Sequence, residues 1–311
     1  MRQNKDTGTA KQDATFDSNL CKRWLSGIPY EVAFWRSYYR NKKSRDRLMG
    51  WSQYKQECQL DKFDIASYIC SLDHVPVIAD VGCALSYIFG NTFGGKEYPV
   101  IYVDPLASFY NKILDDCSLD FPRITFGMGE TLSLHFAKNS VSFFHMRNAL
   151  DHSVCPIMII WQALICLRQG GVLYLNHKPN EAEHEGYIGF HQYNIDCNDG
   201  KLIIWNRNES IDVGNILSGY AEVEASVTDE GRIVGIIRKK AELPENHEAV
   251  IESNKYAAGM LQTTIAYFHS FENSLSYQWR RAIFTIMHAT MRLLPMRIVN
   301  KLKQCFLLKG E

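Results

Sequence analysis

The chain has 311 residues, 46% of them apolar and 22% charged, with 34 Lys and Arg balancing 34 Asp and Glu. That length allows a complete core, the ordinary composition excludes a disordered or fibrous polymer, and zero net charge excludes a global attraction to nucleic acid. Nine cysteines with no C-x-x-C pair predict reduced thiols in a cytoplasmic protein rather than a disulfide framework or a zinc site.

Residues 1–19 are polar and carry no signal-peptide segment, so a disordered start and no export are expected. Residues 20–74 place Trp24, Tyr30, Phe34, Trp35, Tyr38, Tyr39, Trp51 and Tyr54 at roughly helical spacing. That predicts a helical cap packed on a sheet, with the lining of a substrate cleft as the second reading. From 75 to 240 apolar runs alternate with helical stretches, the pattern of an α/β domain. Strands are predicted near 77–82, 98–104, 123–127, 141–146 and 171–176. The clearest helix spans 153–168 and stops at Gly170-Gly171. Two β-branched runs, 222–228 and 232–238, flank Asp229-Glu-Gly231 and read as an antiparallel hairpin. A parallel sheet that ends in such a hairpin fits a Rossmann-like methyltransferase sheet better than a plain dinucleotide-binding one.

Residues 241–311 read as added helices. Between Gln278 and Gly310 every charged side chain is basic: Arg280, Arg281, Arg292, Arg297, Lys301, Lys303 and Lys309. This amphipathic tail either lies on an anionic membrane surface or docks on the domain. No apolar run approaches the ~18 residues of a membrane span.

The most informative stretch is Val77-Ile-Ala-Asp-Val-Gly-Cys-Ala-Leu-Ser86, followed by Val100-Ile-Tyr-Val-Asp104. It reads as strand, Gly turn, crossover helix and second parallel strand ending in a carboxylate. Gly82 lets the backbone approach a ligand, and Asp104 can accept hydrogen bonds from two ribose hydroxyls. The G-x-G-x-x-G cradle is missing, so a nucleoside without phosphates is favoured, S-adenosylmethionine being the common one. A short-chain oxidoreductase is disfavoured by the same missing glycines and by the lack of a suitably placed Tyr-x-x-x-Lys pair.

Methyl transfer to a hydroxyl needs collinear donor and acceptor, excluded water and a group to take the proton. His152, His177 and His191 fall where loops leave the C-terminal edge of the sheet, with Asp151 able to orient an imidazole. Any of the three serves as the base. Glu181 and Glu183 either accept from sugar hydroxyls or complement a helix dipole after Pro179-Asn180. No metal is expected, since Glu181, Glu183, His184, His177 and His191 match no compact ligand spacing.

Beyond these residues, several blocks carry a resemblance. They are Glu31-Val-Ala-Phe-Trp35, Asp80-Val-Gly-Cys-Ala-Leu-Ser86, Val103-Asp-Pro-Leu-Ala107 with Tyr110, Glu130-Thr-Leu132, Arg147-Asn-Ala-Leu-Asp-His152, and Asn180-Glu-Ala-Glu183 running to Gly189-Phe-His-Gln-Tyr-Asn194. In this order, over residues 30 to 225, the chain resembles a bacterial family of class I S-adenosylmethionine-dependent methyltransferases, members of which occur among genes for surface polysaccharide such as O-antigen or capsule. The resemblance implies that Asp80, Gly82, Asp104, Pro105, Met128, Gly129, Glu130 and Asn148 hold S-adenosylmethionine. It implies that Glu181, Glu183, Gln192 and Asn194 meet a sugar or lipid-linked glycan acceptor, in the cytoplasm or peripherally at the inner membrane. Two positions depart from the pattern: Ala84 stands where the family has a further Gly, and Met128 where a carboxylate is common. With the basic tail, they keep open a degenerate methyltransferase fold that serves as a scaffold in a membrane-associated glycan assembly.

Overall fold

A computed structural model describes residues 16–187, 190–271, 274–291, 294–295 and 298. The N-terminal segment forms helices α1 (Ser18–Leu25), α2 (Ile28–Arg40), α3 (Lys42–Trp51) and α4 (Ile65–Cys70). Helix α1 starts inside the stretch expected to be disordered, because Asp17 accepts from the backbone of Asn19 at 2.7 Å and caps it. Residues 1–15 of that stretch lie outside the described residues. Pro29 opens α2, and Ile28, Val32, Ala33 and Tyr39 give it a buried side.

Strand β1 (Ile78–Val81) is buried along its whole length. The expected crossover helix does not follow it. Residues 82–99 instead make turns and a small hairpin, β2 (Thr92–Phe93) and β3 (Lys96–Glu97), around Gly94 and Gly95, both at positive φ. Tyr87, Ile88, Phe89, Thr92, Phe93 and three glycines make this a poor helix sequence. Phe89 and Phe93 fill a core with Ile65, Ile69 and Phe143 on that face of the sheet.

Then come β4 (Val100–Asp104), α5 (Ala107–Asp116), β5 (Thr125–Phe126), a 3₁₀ turn over Gly129–Leu134, β6 (Val141–Arg147), α6 (Pro156–Cys166) and β7 (Leu167–His177). The expected 153–168 helix is α6, buried at all eleven positions. It runs directly into β7, so Gly170-Gly171 lies within the strand. Gly170, at φ +77°, sits at a register shift between β6 and β7.

A short α7 (Glu181–His184) leads to a three-stranded antiparallel sheet with no counterpart in the sequence reading: β8 (Asn194–Asn198), β9 (Lys201–Trp205) and β10 (Ser210–Asp212). After α8 (Val213–Ile216), strands β11 (Ala221–Val227) and β12 (Ile233–Lys239) form the expected hairpin, with Val227 paired to Ile233.

The main sheet has seven strands in the order β11-β12-β7-β6-β1-β4-β5. Strands β5, β4, β1, β6 and β7 are parallel, and β12 is antiparallel to both neighbours. Helix α9 (Glu248–Phe271) packs on α1, α6 and the 3₁₀ turn. Helix α10 (Leu275–Met291) packs on α2, burying Phe284 and Met287 against Ala33. The tail is therefore docked as far as α10. The basic residues Arg292, Arg297, Lys301, Lys303 and Lys309 lie outside the described residues.

Candidate active site

The chain reverses direction across the sheet at β1, with β4 on one side and β6 on the other, and such a switch point opens a crevice at the C-terminal strand ends. A cavity of about 680 Å³ lies there, within the roughly 300–1,000 Å³ range of small-molecule sites. Strand ends and following turns supply its floor, α2 and α3 one wall, and Lys178, Glu181, Glu185, Phe190 and His191 the other.

Asp104, the last residue of β4, lines the cavity. Its two oxygens accept from the backbone N–H of Leu106 at 2.8 Å and of Ala84 at 3.0 Å. A carboxylate has about four acceptor positions, so one per oxygen is left for a ligand diol. Burial pushes this carboxyl up to about 7, against the two backbone donors. Ala84 reaches Asp104 from a left-handed conformation, φ +48°. Gly82 lines the cavity and has a second duty: a Cβ on it would stand 2.4 Å from the Cβ of Ala149, so its bareness also admits the turn after β6. Asp80 does not line the cavity; it is buried within β1, 2.7 Å from Nδ1 of His145. Its expected contact with a cofactor is replaced by this internal pair.

Pro105, Met128, Gly129, Glu130 and Asn148 all border the cavity. Met128 is buried and its sulfur accepts from Thr264 at 3.5 Å. Glu130 has a duty the sequence did not signal: its Oε1 accepts from the N–H of Val154 at 2.8 Å and of Cys155 at 3.4 Å, holding the start of α6. Asn148 accepts from Arg232 at 2.8 Å and from the N–H of Lys178 at 3.2 Å, tying the turn that leads into β12 to the turns above β6 and β7.

The three expected histidines converge on Asp151. His191 Nδ1 lies 3.0 Å and His152 Nε2 3.4 Å from Asp151 Oδ2, and the two nitrogens are 3.1 Å apart. His177 approaches the other oxygen at 3.6 Å, beyond hydrogen-bond reach. His152 and His191 line the cavity with about a quarter of each side chain exposed, whereas His177 is buried behind Asp151 and touches no ligand space. Burial works to raise the Asp151 carboxyl, but the three surrounding histidines hold it well below the usual carboxylate range. Burial lowers His152 and His177. It also opposes a charge on His191, where the bond to Asp151 prevails and raises the ring above the ordinary histidine value.

Of the expected acceptor-binding residues, only Glu181 borders the cavity. Glu183 is exposed on the far side of α7. Asn194 is fully buried, accepting from the N–H of Glu183 at 3.3 Å and donating to Tyr187 at 3.0 Å. Gln192 donates its amide side chain to the Tyr187 carbonyl at 3.4 Å and its backbone N–H to the Asp151 carbonyl at 3.1 Å. Asn194 and Gln192 therefore clasp the wall that carries His191, and neither borders the cavity.

The second reading of the aromatic cap prevails in α1 and α2. Trp24, Tyr30, Glu31, Phe34, Trp35 and Tyr38 all line the cavity. Trp24 donates to the His152 carbonyl at 2.6 Å and stacks on Phe190, and a Cβ on Gly27 would come within 2.8 Å of that ring. Glu31, held by the indole N–H of Trp35 at 2.8 Å, is a site residue that helical spacing did not single out. Its signal was a lone carboxylate inside an aromatic stripe.

No protein-family profile and no curated protein matches the chain. Among solved structures it is similar to a protein of Pyrococcus horikoshii OT3, at 10% identity over 65% of this chain and 93% of that one, TM-score 0.36. It is similar to a S-adenosylmethionine-dependent methyltransferase of Methanosarcina mazei, at 17% over 59% and 100%, TM-score 0.33. A third is a S-adenosylmethionine-dependent methyltransferase of Thermotoga maritima, at 13% over 66% and 100%, TM-score 0.36. The strand order and the antiparallel β12 define the class: this is the Rossmann-like fold of class I methyltransferases.

Proposed function

We propose that the chain is a S-adenosylmethionine-dependent O-methyltransferase acting on a sugar or glycan end in the assembly of bacterial surface polysaccharide. One observation carries the reading: a single cavity joins the carboxylate at the end of β4 to the Asp151, His152 and His191 cluster. The residues suit the cofactor. Asp104 would take the ribose hydroxyls, the turn at Met128 and Gly129 the adenine, and the backbone around Gly82 and Ala84 the methionine part. When bound, S-adenosylmethionine supplies an electrophilic methyl group on sulfur. Aromatic rings of α1 and α2 exclude water and offer flat faces to a sugar, while Glu31 and Glu181 accept from its hydroxyls. The histidine cluster activates the hydroxyl that receives the methyl group. Within the same proposal, the outer face of α10 brings the enzyme to an anionic membrane surface on the cytoplasmic side, where lipid-linked glycans are built.

The test has two parts. Calorimetry with S-adenosylhomocysteine measures the cofactor site, and transfer of labelled methyl to lipid-linked glycans measures the reaction. His191→Ala is expected to lose about 10²–10⁴-fold in turnover while still binding cofactor. A folded protein that ignores S-adenosylhomocysteine sinks the enzyme and leaves the scaffold reading.

A further inference from the structure

Hydrogen bonds alone do not satisfy the triangle of Asp151 Oδ2, His152 Nε2 and His191 Nδ1, whose edges measure 3.4, 3.0 and 3.1 Å. Each imidazole nitrogen carries one proton or none, and a proton serves one edge. If both nitrogens donate to the carboxylate, two N–H groups face each other across 3.1 Å. If one imidazole donates to the other, the accepting nitrogen confronts the carboxylate lone pair against lone pair. With the carboxylate ionised, every arrangement leaves one edge with like facing like. A cation at the centre satisfies all three edges. Bonds of about 2.0–2.2 Å to nitrogen and oxygen place neighbouring ligand atoms roughly 3.0–3.5 Å apart, as a right angle or a tetrahedral angle dictates.

We propose that Asp151, His152 and His191 hold a divalent transition-metal ion whose open positions take two neighbouring oxygens of the acceptor, a sugar diol. The acceptor's identity rests on the methyltransferase reading; the ion site rests on the cluster alone. Among the described residues this is the group whose His, Cys, Asp or Glu ligand atoms converge, all within 4.8 Å of one another. Two imidazoles and a carboxylate suit borderline ions such as zinc, cobalt and iron(II). Both histidines face the cavity, so the site is of the open kind that binds a reactant rather than the closed structural kind. Behind it, the backbone N–H of Gln192 fixes the Asp151 carbonyl at 3.1 Å, and buried His177, with neither ring nitrogen hydrogen-bonded, backs the second carboxylate oxygen. Glu31, Glu181 and Glu185 border the same cavity, as do Arg147, Lys178 and Arg232, and Lys178 pairs with Glu181 at 3.7 Å. A hydroxyl bound to the ion releases its proton to solvent more readily than a free one. In this arrangement the histidines carry the ion and not the proton.

The experiment uses metal-stripped full-length protein titrated with Co²⁺. Visible absorption follows the ion, and calorimetry follows S-adenosylhomocysteine on the same samples. The expected result is one Co²⁺ per chain, weakened by about 100-fold or more in His191→Ala and Asp151→Asn, with S-adenosylhomocysteine affinity kept within about threefold. A cobalt–thiolate spectrum, or binding unchanged in both variants, places the ion elsewhere and overturns the site. No Co²⁺ binding by protein that takes S-adenosylhomocysteine overturns the ion and leaves the methyltransferase reading standing. Co²⁺ binding without S-adenosylhomocysteine binding keeps the ion and removes that reading with its acceptor, and loss of both overturns both. Should Asp151→Asn fail to fold, His191→Ala decides, since its ring is 25% exposed and its removal leaves the core intact.

Discussion

Asp104 combines a buried carboxylate, two backbone donors and a pKa raised to about 7. A ligand diol donates only to the ionised form, so cofactor affinity should rise with pH through about 7 and level off above it. Below that point it should fall by at most about tenfold per pH unit. Calorimetry with S-adenosylhomocysteine from pH 5.5 to about 8.5 checks the sign. Asp104→Asn should flatten the curve, and Asp104→Ala should cost about 2 kcal/mol of binding at neutral pH. An unchanged affinity in folded Asp104→Ala would remove the ribose assignment. Ala84 offers a second test one turn away. Its left-handed backbone strains any side chain by roughly 1–2 kcal/mol, so Ala84→Gly should recover about 1 kcal/mol of stability in urea denaturation, part of the relief being offset by glycine's extra freedom when unfolded. A destabilised Ala84→Gly would mean that the methyl group packs favourably where it stands.

The core strands were legible because each is a run of β-branched or aromatic residues bounded by turn residues, and β1, β4, β6 and the β11–β12 hairpin lie where those runs stand. The helix after β1 was not, since the expectation came from the usual unit and not from Tyr87-Ile-Phe-Gly, which favours turns. Strands β8 to β10 were missed because Asn194-Ile-Asp-Cys-Asn198 and Lys201-Leu-Ile-Ile-Trp205 are short and lie among polar residues. In the site, the places of Asp104, His152 and His191 beside the cavity could be read from strand ends and the loops that leave them, whereas that of His177, buried behind Asp151, could not. The positions of Asn194 and Gln192 could not, because an amide that binds substrate and one that clasps a loop look alike in sequence. Helix α10 shows the same ambiguity, and only its docked side is settled. One side buries Tyr277, Phe284 and Met287, and the other leaves Leu275, Trp279 and Ile286 between 64% and 80% exposed. If that outer side meets a membrane, each inserted side chain adds roughly 1.5–3 kcal/mol. Flotation with anionic vesicles should then show binding that salt weakens and that a Trp279→Ser, Ile286→Ser double variant reduces by about tenfold or more. Full-length protein that ignores the vesicles ends the membrane proposal.

At the scale of the whole molecule, both ends of the described chain meet on one wall of the cavity. Helix α9 touches α1, where Cys21 contacts Met260 at 3.3 Å, and α10 lies along α2. The aromatic wall is thus positioned from outside by α9 and α10; α9 also packs on the main core through Tyr256 and Met260, whereas α10 lies against α2. A chain that stops after α9 should keep its sheet by circular dichroism but lose S-adenosylhomocysteine affinity by about tenfold or more, as binding must then order α2. Undiminished affinity would show that α2 holds itself in place. The same closure bears on synthesis. Trp24, Glu31 and Trp35 leave the ribosome well before α9 and α10, the helices that seat them. A nascent chain can therefore complete its strands well before it owns a binding pocket, and cofactor has no finished site to occupy until synthesis has passed α10.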